Sequence, residues 1–206
     1  MFIGKWNKSV IMTYIGLCFC IFGIYEIMNE GSIFIVLSCL LLAGICDMFD
    51  GLIARKCERT LEEKHFGIEL DSLVDTASFV IFPIVIYLYL GFNEWYNLLS
   101  FMMFSICGIA RLGYFNIGVD PKGSNEPIKC YTGLPVTCSA FIFPIGYLFN
   151  YIFNDIGFMI FFSILMPLVA ILNITKFKVP KLKSKKFYVL ICLLSILIVS
   201  LMLIFK

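Results

Sequence analysis

The chain has 206 residues, the length of one or two ordinary domains, but 61% of them are apolar, only 15% are charged, and the mean hydropathy is +0.96. Soluble domains run near roughly 45 to 50% apolar and about 25% charged, so the composition excludes a soluble enzyme, a disordered regulator and a nucleic-acid module, and places the chain in lipid. A formal net charge of +2 is too small for a polyanion binder. The positions of the basic residues matter more than their sum.

A helix crossing the hydrocarbon core needs about 20 mainly apolar residues, because the core is about 30 Å thick and each residue rises 1.5 Å. Seven segments meet that length in chain order: Ser9 to Met28, Ser32 to Ile53, Ile68 to Leu90, Trp95 to Ile117, Thr132 to Ile152, Ile156 to Thr175 and Phe187 to Phe205. The predicted fold is an all-α polytopic bundle. The first segment follows Lys5 and Lys8 as a signal peptide would, but it is too long and lacks a small-residue cleavage site, so it reads as a retained span. Cys18, Cys20, Cys39, Cys107, Cys138 and Cys192 fall inside apolar runs and read as small buried hydrophobes.

Basic residues lie before the first span (Lys5, Lys8), between the second and third (Arg55, Lys56, Arg59, Lys64), between the fourth and fifth (Lys122, Lys129) and, as six lysines from Lys176 to Lys186, between the sixth and seventh. The alternate loops carry Glu30, Glu94 and Asp155 and no Lys or Arg. The positive-inside rule then makes the N-terminus and the basic loops cytoplasmic. The lysine run reads as a topogenic anchor or as a sensor of anionic headgroups.

The acids are the informative residues. Asp47 and Asp50 are spaced i, i+3 and Asp71 and Asp75 i, i+4, so each pair shares one helical face. A short polar loop, containing the lone His65, joins their helices as antiparallel neighbours, and four carboxylates can converge. Ionised acids in a bilayer are costly and persist only in a hydrated cavity with compensating cations. An all-oxygen set without His or Cys favours Mg²⁺, Mn²⁺ or Ca²⁺ over zinc, and two such ions would neutralise four carboxylates. Gly51, Ala54 and Gly67 each lie four residues from an acid. They leave room for a flat ligand or for close helix packing.

The string Asp47-x2-Asp50-Gly51-x2-Ala54-Arg55, followed by Gly67-x3-Asp71-x3-Asp75, closely resembles the signature of the CDP-alcohol phosphatidyltransferases. Eight specified residues match by chance on the order of 10⁻¹⁰ per start position. The segment from Arg55 to Gly67 is somewhat longer than in many members.

The resemblance implies a dimeric integral membrane enzyme with a six-helix core, here residues 1–175, followed by a basic loop and a C-terminal span, 176–206. It implies that Asp47, Asp50, Asp71 and Asp75 hold two divalent ions and that Asp75 is the general base. Gly51, Ala54, Arg55 and Gly67 would form the CDP pocket together with Asp50 and Asp71, and Asn7 and Thr13 are further nucleotide candidates. Phe66 to Phe79, Gly108 to Asn116 and Thr132 to Val136 look like the serine-transferring branch, implying CDP-diacylglycerol and L-serine as substrates at a cell or inner membrane.

Serine carries a carboxylate and an ammonium, so its site needs a cation and acceptors. Arg111 can supply the cation, or can simply snorkel to the headgroups. Lys129 with a helix start at Thr132-Gly133 is a second anion site or an ordinary cap. Asn116 and Tyr114 are further candidates. Two alternatives are the same enzyme class with glycerol 3-phosphate or inositol as acceptor, and a cation-coupled transporter. A transporter is expected to place its acids near the midplane of pseudo-symmetric halves, whereas these cluster at one face.

Overall fold

The computed structural model describes residues 3–118, 130–180 and 193–200. A short 3₁₀ turn, Lys8–Val10, leads into α1 (Ile11–Met28), and α2 (Ile33–Ala54) returns beside it. Next come α3 (Leu61–Asp75), a π-helical stretch Thr76–Ile81 and α4 (Phe82–Tyr89), which together form one continuous helix. Then follow α5 (Trp95–Gly118), α6 (Ser139–Leu148) flanked by 3₁₀ turns, and α7 (Asp155–Ile174). The architecture is an all-α polytopic membrane bundle. Its one sheet among the described residues is an antiparallel pair of three-residue strands, β1 (Cys130–Thr132) and β2 (Lys178–Pro180), with Tyr131 opposite Val179.

Among the described residues, five helices are long and apolar enough to cross a bilayer, and Val136–Tyr151 is a shorter apolar helix. The expected fifth span is therefore corrected. At 1.5 Å per residue this helix is about 24 Å long, less than a typical hydrocarbon core. The cause is local. Gly133 has φ +75°, Pro135 is extended with ψ 136°, and the Gly133 and Leu134 N–H groups donate to Phe177 O (2.8 Å) and Leu172 O (3.0 Å). Thr132 to Pro135 are thus tied to the end of α7 instead of starting a helix. Of the expected seventh span, only the helical residues 193–200 are described.

The third span starts earlier than its hydropathy indicates. Thr60 Oγ1 accepts from Glu63 N at 3.3 Å and the Thr60 N–H donates to Glu63 Oε2 at 2.8 Å. This reciprocal capping box starts a helix at Leu61. Lys64, His65 and Gly67 accordingly belong to α3 and not to a loop, and His65 is exposed on it.

An aromatic core joins the helices at the end remote from the acids. Tyr87 stacks on Phe162 with centroids 4.2 Å apart and is edged by Phe101 and Phe143. Its hydroxyl donates to Phe162 O at 3.1 Å, so the buried polar tip of the ring is satisfied. Small residues permit the closest approaches: a Cβ on Gly44 would lie 2.6 Å from the Cβ of Ala140, so α2 and α6 meet there without side-chain bulk. Of the cysteines expected to be buried, Cys20, Cys39 and Cys107 are buried free thiols, Cys138 is half-buried, Cys18 is exposed on α1 and Cys192 lies outside the described residues; Cys46 is buried as well.

Candidate active site

The acid pairs sit in the last two turns of α2 and the last two turns of α3. Carboxylate oxygens of Asp47, Asp71 and Asp75 all lie within 4.8 Å of one another. Asp50 is buried beside them and accepts a hydrogen bond from Thr13 Oγ1 at 3.1 Å. Thr13, Gly16, Ala43, Val74, Ser78 and Phe79 complete a small cavity of about 10 Å³ around the four acids. Its floor comes from α1, because Gly16 lets that helix approach Ala43 and Cys46 closely.

Four carboxylates at this separation repel unless protons or cations lie between them. The carboxyl end of α2 adds its own partial negative charge one to two turns away. With no His or Cys among the converging ligand atoms, the donor set is hard oxygen, which fits Mg²⁺, Mn²⁺ or Ca²⁺. The cavity has room for about one water and none for a nucleotide. A nucleotide has to lie outside it.

The surroundings of Gly51 and Gly67 offer such a place. A Cβ on Gly51 would meet only Arg55 Nη1, at 3.5 Å, and one on Gly67 only Arg59 Nη1, at 3.6 Å. Unlike Gly44, these glycines are not needed for helix packing; they border open space with a guanidinium beside each. Arg59 was not singled out by the motif, whose first half ends at Arg55 and whose second begins at Gly67. Ala54 is the last residue of α2.

The N-terminal segment lies along the first turns of α3: Lys5 pairs with Glu62 at 2.8 Å, and Gly4 lies against Phe66. Asn7 Oδ1 accepts from the N–H and hydroxyl of Ser9. Asn7 therefore caps the turn before α1 at the rim of the cleft, whereas Thr13 reaches the acids themselves.

Arg111 is 8% exposed, on the inward side of α5, with its guanidinium 4.5 Å from the Phe115 ring centroid. It is buried in the bundle, so it does not snorkel. Arg111 lies five residues before Asn116 on α5, and the bond from Asn116 to α3 puts this stretch at the acid end of the bundle. Asn116 Oδ1 accepts from Ser72 Oγ at 3.0 Å, tying α5 to α3 next to Asp71. Tyr114 is 61% exposed. Thr132 and Gly133 do not start a helix, so the expected anion site at a helix N-terminus is corrected: the Gly133 N–H is committed to Phe177 O. Lys129, and Lys122 with it, lie outside the described residues.

The structure is that of a helical membrane protein with aspartates from two neighbouring helices gathered at one end, and the sequence comparisons identify its family. Residues 6–175 match the family model for CDP-alcohol phosphatidyltransferase, and the chain belongs to that family. It is 37% identical over 128 residues to a CDP-diacylglycerol–serine O-phosphatidyltransferase of Saccharomyces cerevisiae, covering 59% of this chain and 45% of that protein. It is 33% identical over 153 residues to the protein of the same name in Methanocaldococcus jannaschii, covering 73% of this chain and 66% of the relative. An archaetidylserine synthase of Methanothermobacter thermautotrophicus is 31% identical over 153 residues, 74% of this chain and 60% of its own. The chain thus spans less than two thirds of the length of these relatives.

Proposed function

We propose that the chain is a phosphatidylserine synthase, transferring the phosphatidyl group of CDP-diacylglycerol to the hydroxyl of L-serine and releasing CMP. The observation that carries this reading is the convergence of Asp47, Asp71 and Asp75 within 4.8 Å, in a chain whose relatives named above transfer to serine or make a serine lipid.

Asp47, Asp50, Asp71 and Asp75 would hold two divalent ions, Mg²⁺ or Mn²⁺, with Ca²⁺ a third candidate. Bound there, the ions supply positive charge to the nonbridging and leaving oxygens of the diphosphate. Gly51, Ala54 and Gly67 leave the slot for the cytidine, and Arg55 approaches its phosphates. Asp75 takes the proton of the serine hydroxyl as the new oxygen–phosphorus bond forms and the bond to CMP breaks; the proton then passes to water. Arg111 binds the serine carboxylate. Such a transfer depends mainly on holding the two reactants in line, and residues on four rigid helices are suited to it.

The basic loops support a cytoplasmic site in a cell or inner membrane, and the family resemblance supports a homodimer. The decisive experiment incubates purified protein with CDP-diacylglycerol and a panel of labelled alcohols that includes L-serine, glycerol 3-phosphate and inositol. Serine incorporation with stoichiometric CMP release is expected; strong use of another alcohol without serine incorporation overturns the choice of acceptor.

A further inference from the structure

α7 buries Phe158, Phe162, Met166, Val169, Ala170 and Asn173 along one side. Five are apolar and fill the core. The sixth is an amide, 2% exposed, and neither its Oδ1 nor its Nδ2 has a hydrogen-bond partner among the described residues. Buried polar atoms are almost always paired, so two orphans on one side chain call for a group that belongs there.

Asn173 lies near the depth of Arg111. α5 and α7 pack along one another, and Phe92, just before α5, contacts Phe158 in the first turn of α7, so both helices start at the remote end. Arg111 and Asn173 then lie about 24 and about 27 Å along their helices. They are at similar depth, on the side of the bundle where the acids gather. The backbone carbonyl of Asn173 supports the Gly133 turn, where a Cβ would come within 2.8 Å of it.

We propose that Asn173 is an acceptor-binding residue, its amide completing with Arg111 the pocket for the zwitterionic head of the attacking alcohol. An amide offers one acceptor, suited to an ammonium, and two donors, suited to a carboxylate or hydroxyl, and adds no net charge beside the arginine. The proposal rests on the reading of an amino-acid acceptor given above.

Asn173→Leu and the near-isosteric Asn173→Asp are compared with wild type in full-length purified protein. Both raise the KM for serine at least tenfold, equivalent to about 1.4 kcal/mol, and leave the KM for CDP-diacylglycerol within twofold. Saturating serine raises the melting temperature of wild type but not of either variant. If Asn173→Leu does not fold, Asn173→Asp decides alone. An unchanged serine KM in the folded variants overturns the proposal and makes Asn173 a packing residue. If wild type prefers another alcohol, the same pair is tested with that alcohol: a tenfold rise in its KM retains Asn173 as an acceptor residue, and an unchanged value overturns it.

Discussion

Thr13 Oγ1, on α1, donates to Asp50 Oδ2, on α2, at 3.1 Å. This bond orients one carboxylate of the acid cluster from outside the two helices that carry the motif. A hydrogen bond to a charged group is worth about 1.5 to 3 kcal/mol. Thr13→Val, which keeps the shape and removes the donor, should raise the Mg²⁺ or Mn²⁺ concentration for half-maximal activity about tenfold, read from a metal titration, with little change in expression.

Asp75 is 8% exposed at the end of α3. Asp75→Asn should lower turnover at least about 10²-fold, the low end for an acid–base group, while CDP-lipid binding is partly retained. Single-turnover CMP release and equilibrium binding of CDP separate the two effects. Near-normal turnover would remove Asp75 from the role of base.

The acids were legible in the sequence because i, i+3 and i, i+4 spacing fixes which side chains share a helical face. That Asp71 and Asp75 meet Asp47 across the α2–α3 pair follows from the short connection, and it is found. The early start of α3 was present as Thr60-x2-Glu63 but was obscured by the polar run Glu62 to His65, which reads as loop when hydropathy is the guide. The shortening of the expected fifth span, α6, depends on backbone bonds from Gly133 and Leu134 to residues about 40 positions away, which local pattern cannot reveal. Asn173 lies in an apolar stretch, where nothing in the sequence distinguishes an orphaned amide from a satisfied one.

The glycines of the two halves of the motif should respond differently from a packing glycine. Gly67→Val places its branches beside Arg59 in open space and gains slightly in helix propensity. The KM for CDP-diacylglycerol should rise about tenfold with no loss of melting temperature. Gly44→Val, forced against Ala140, should instead cost about 1 to 3 kcal/mol of stability, the usual penalty for overpacking, measured by thermal denaturation in detergent.

Arg111→Lys retains the charge but would lose the two-pronged hold proposed for the serine carboxylate and the contact of the guanidinium with the Phe115 ring. The apparent KM for serine should rise more than that for the CDP-lipid in steady-state assays with each substrate varied in turn. Equal or unchanged values would put the carboxylate elsewhere.

Treatment with a chelator should abolish transfer, and Mg²⁺ or Mn²⁺ should restore it, because the proposed transfer needs divalent charge on the converging all-oxygen cluster, which protons on the carboxylates would not supply to the diphosphate. Full activity after exhaustive chelation would contradict the role given to the four aspartates.

The β1–β2 ribbon stitches the chain ahead of α6 to the chain leaving α7. The chain at Lys178 to Pro180 is consequently held at the same corner as Gly133 and Asn173, so a truncation that unpicks this stitch should be felt as a slackened threshold for the incoming alcohol, while the nucleotide site proposed on α2 and α3 survives. The tail would then tune entry of one substrate without touching the other.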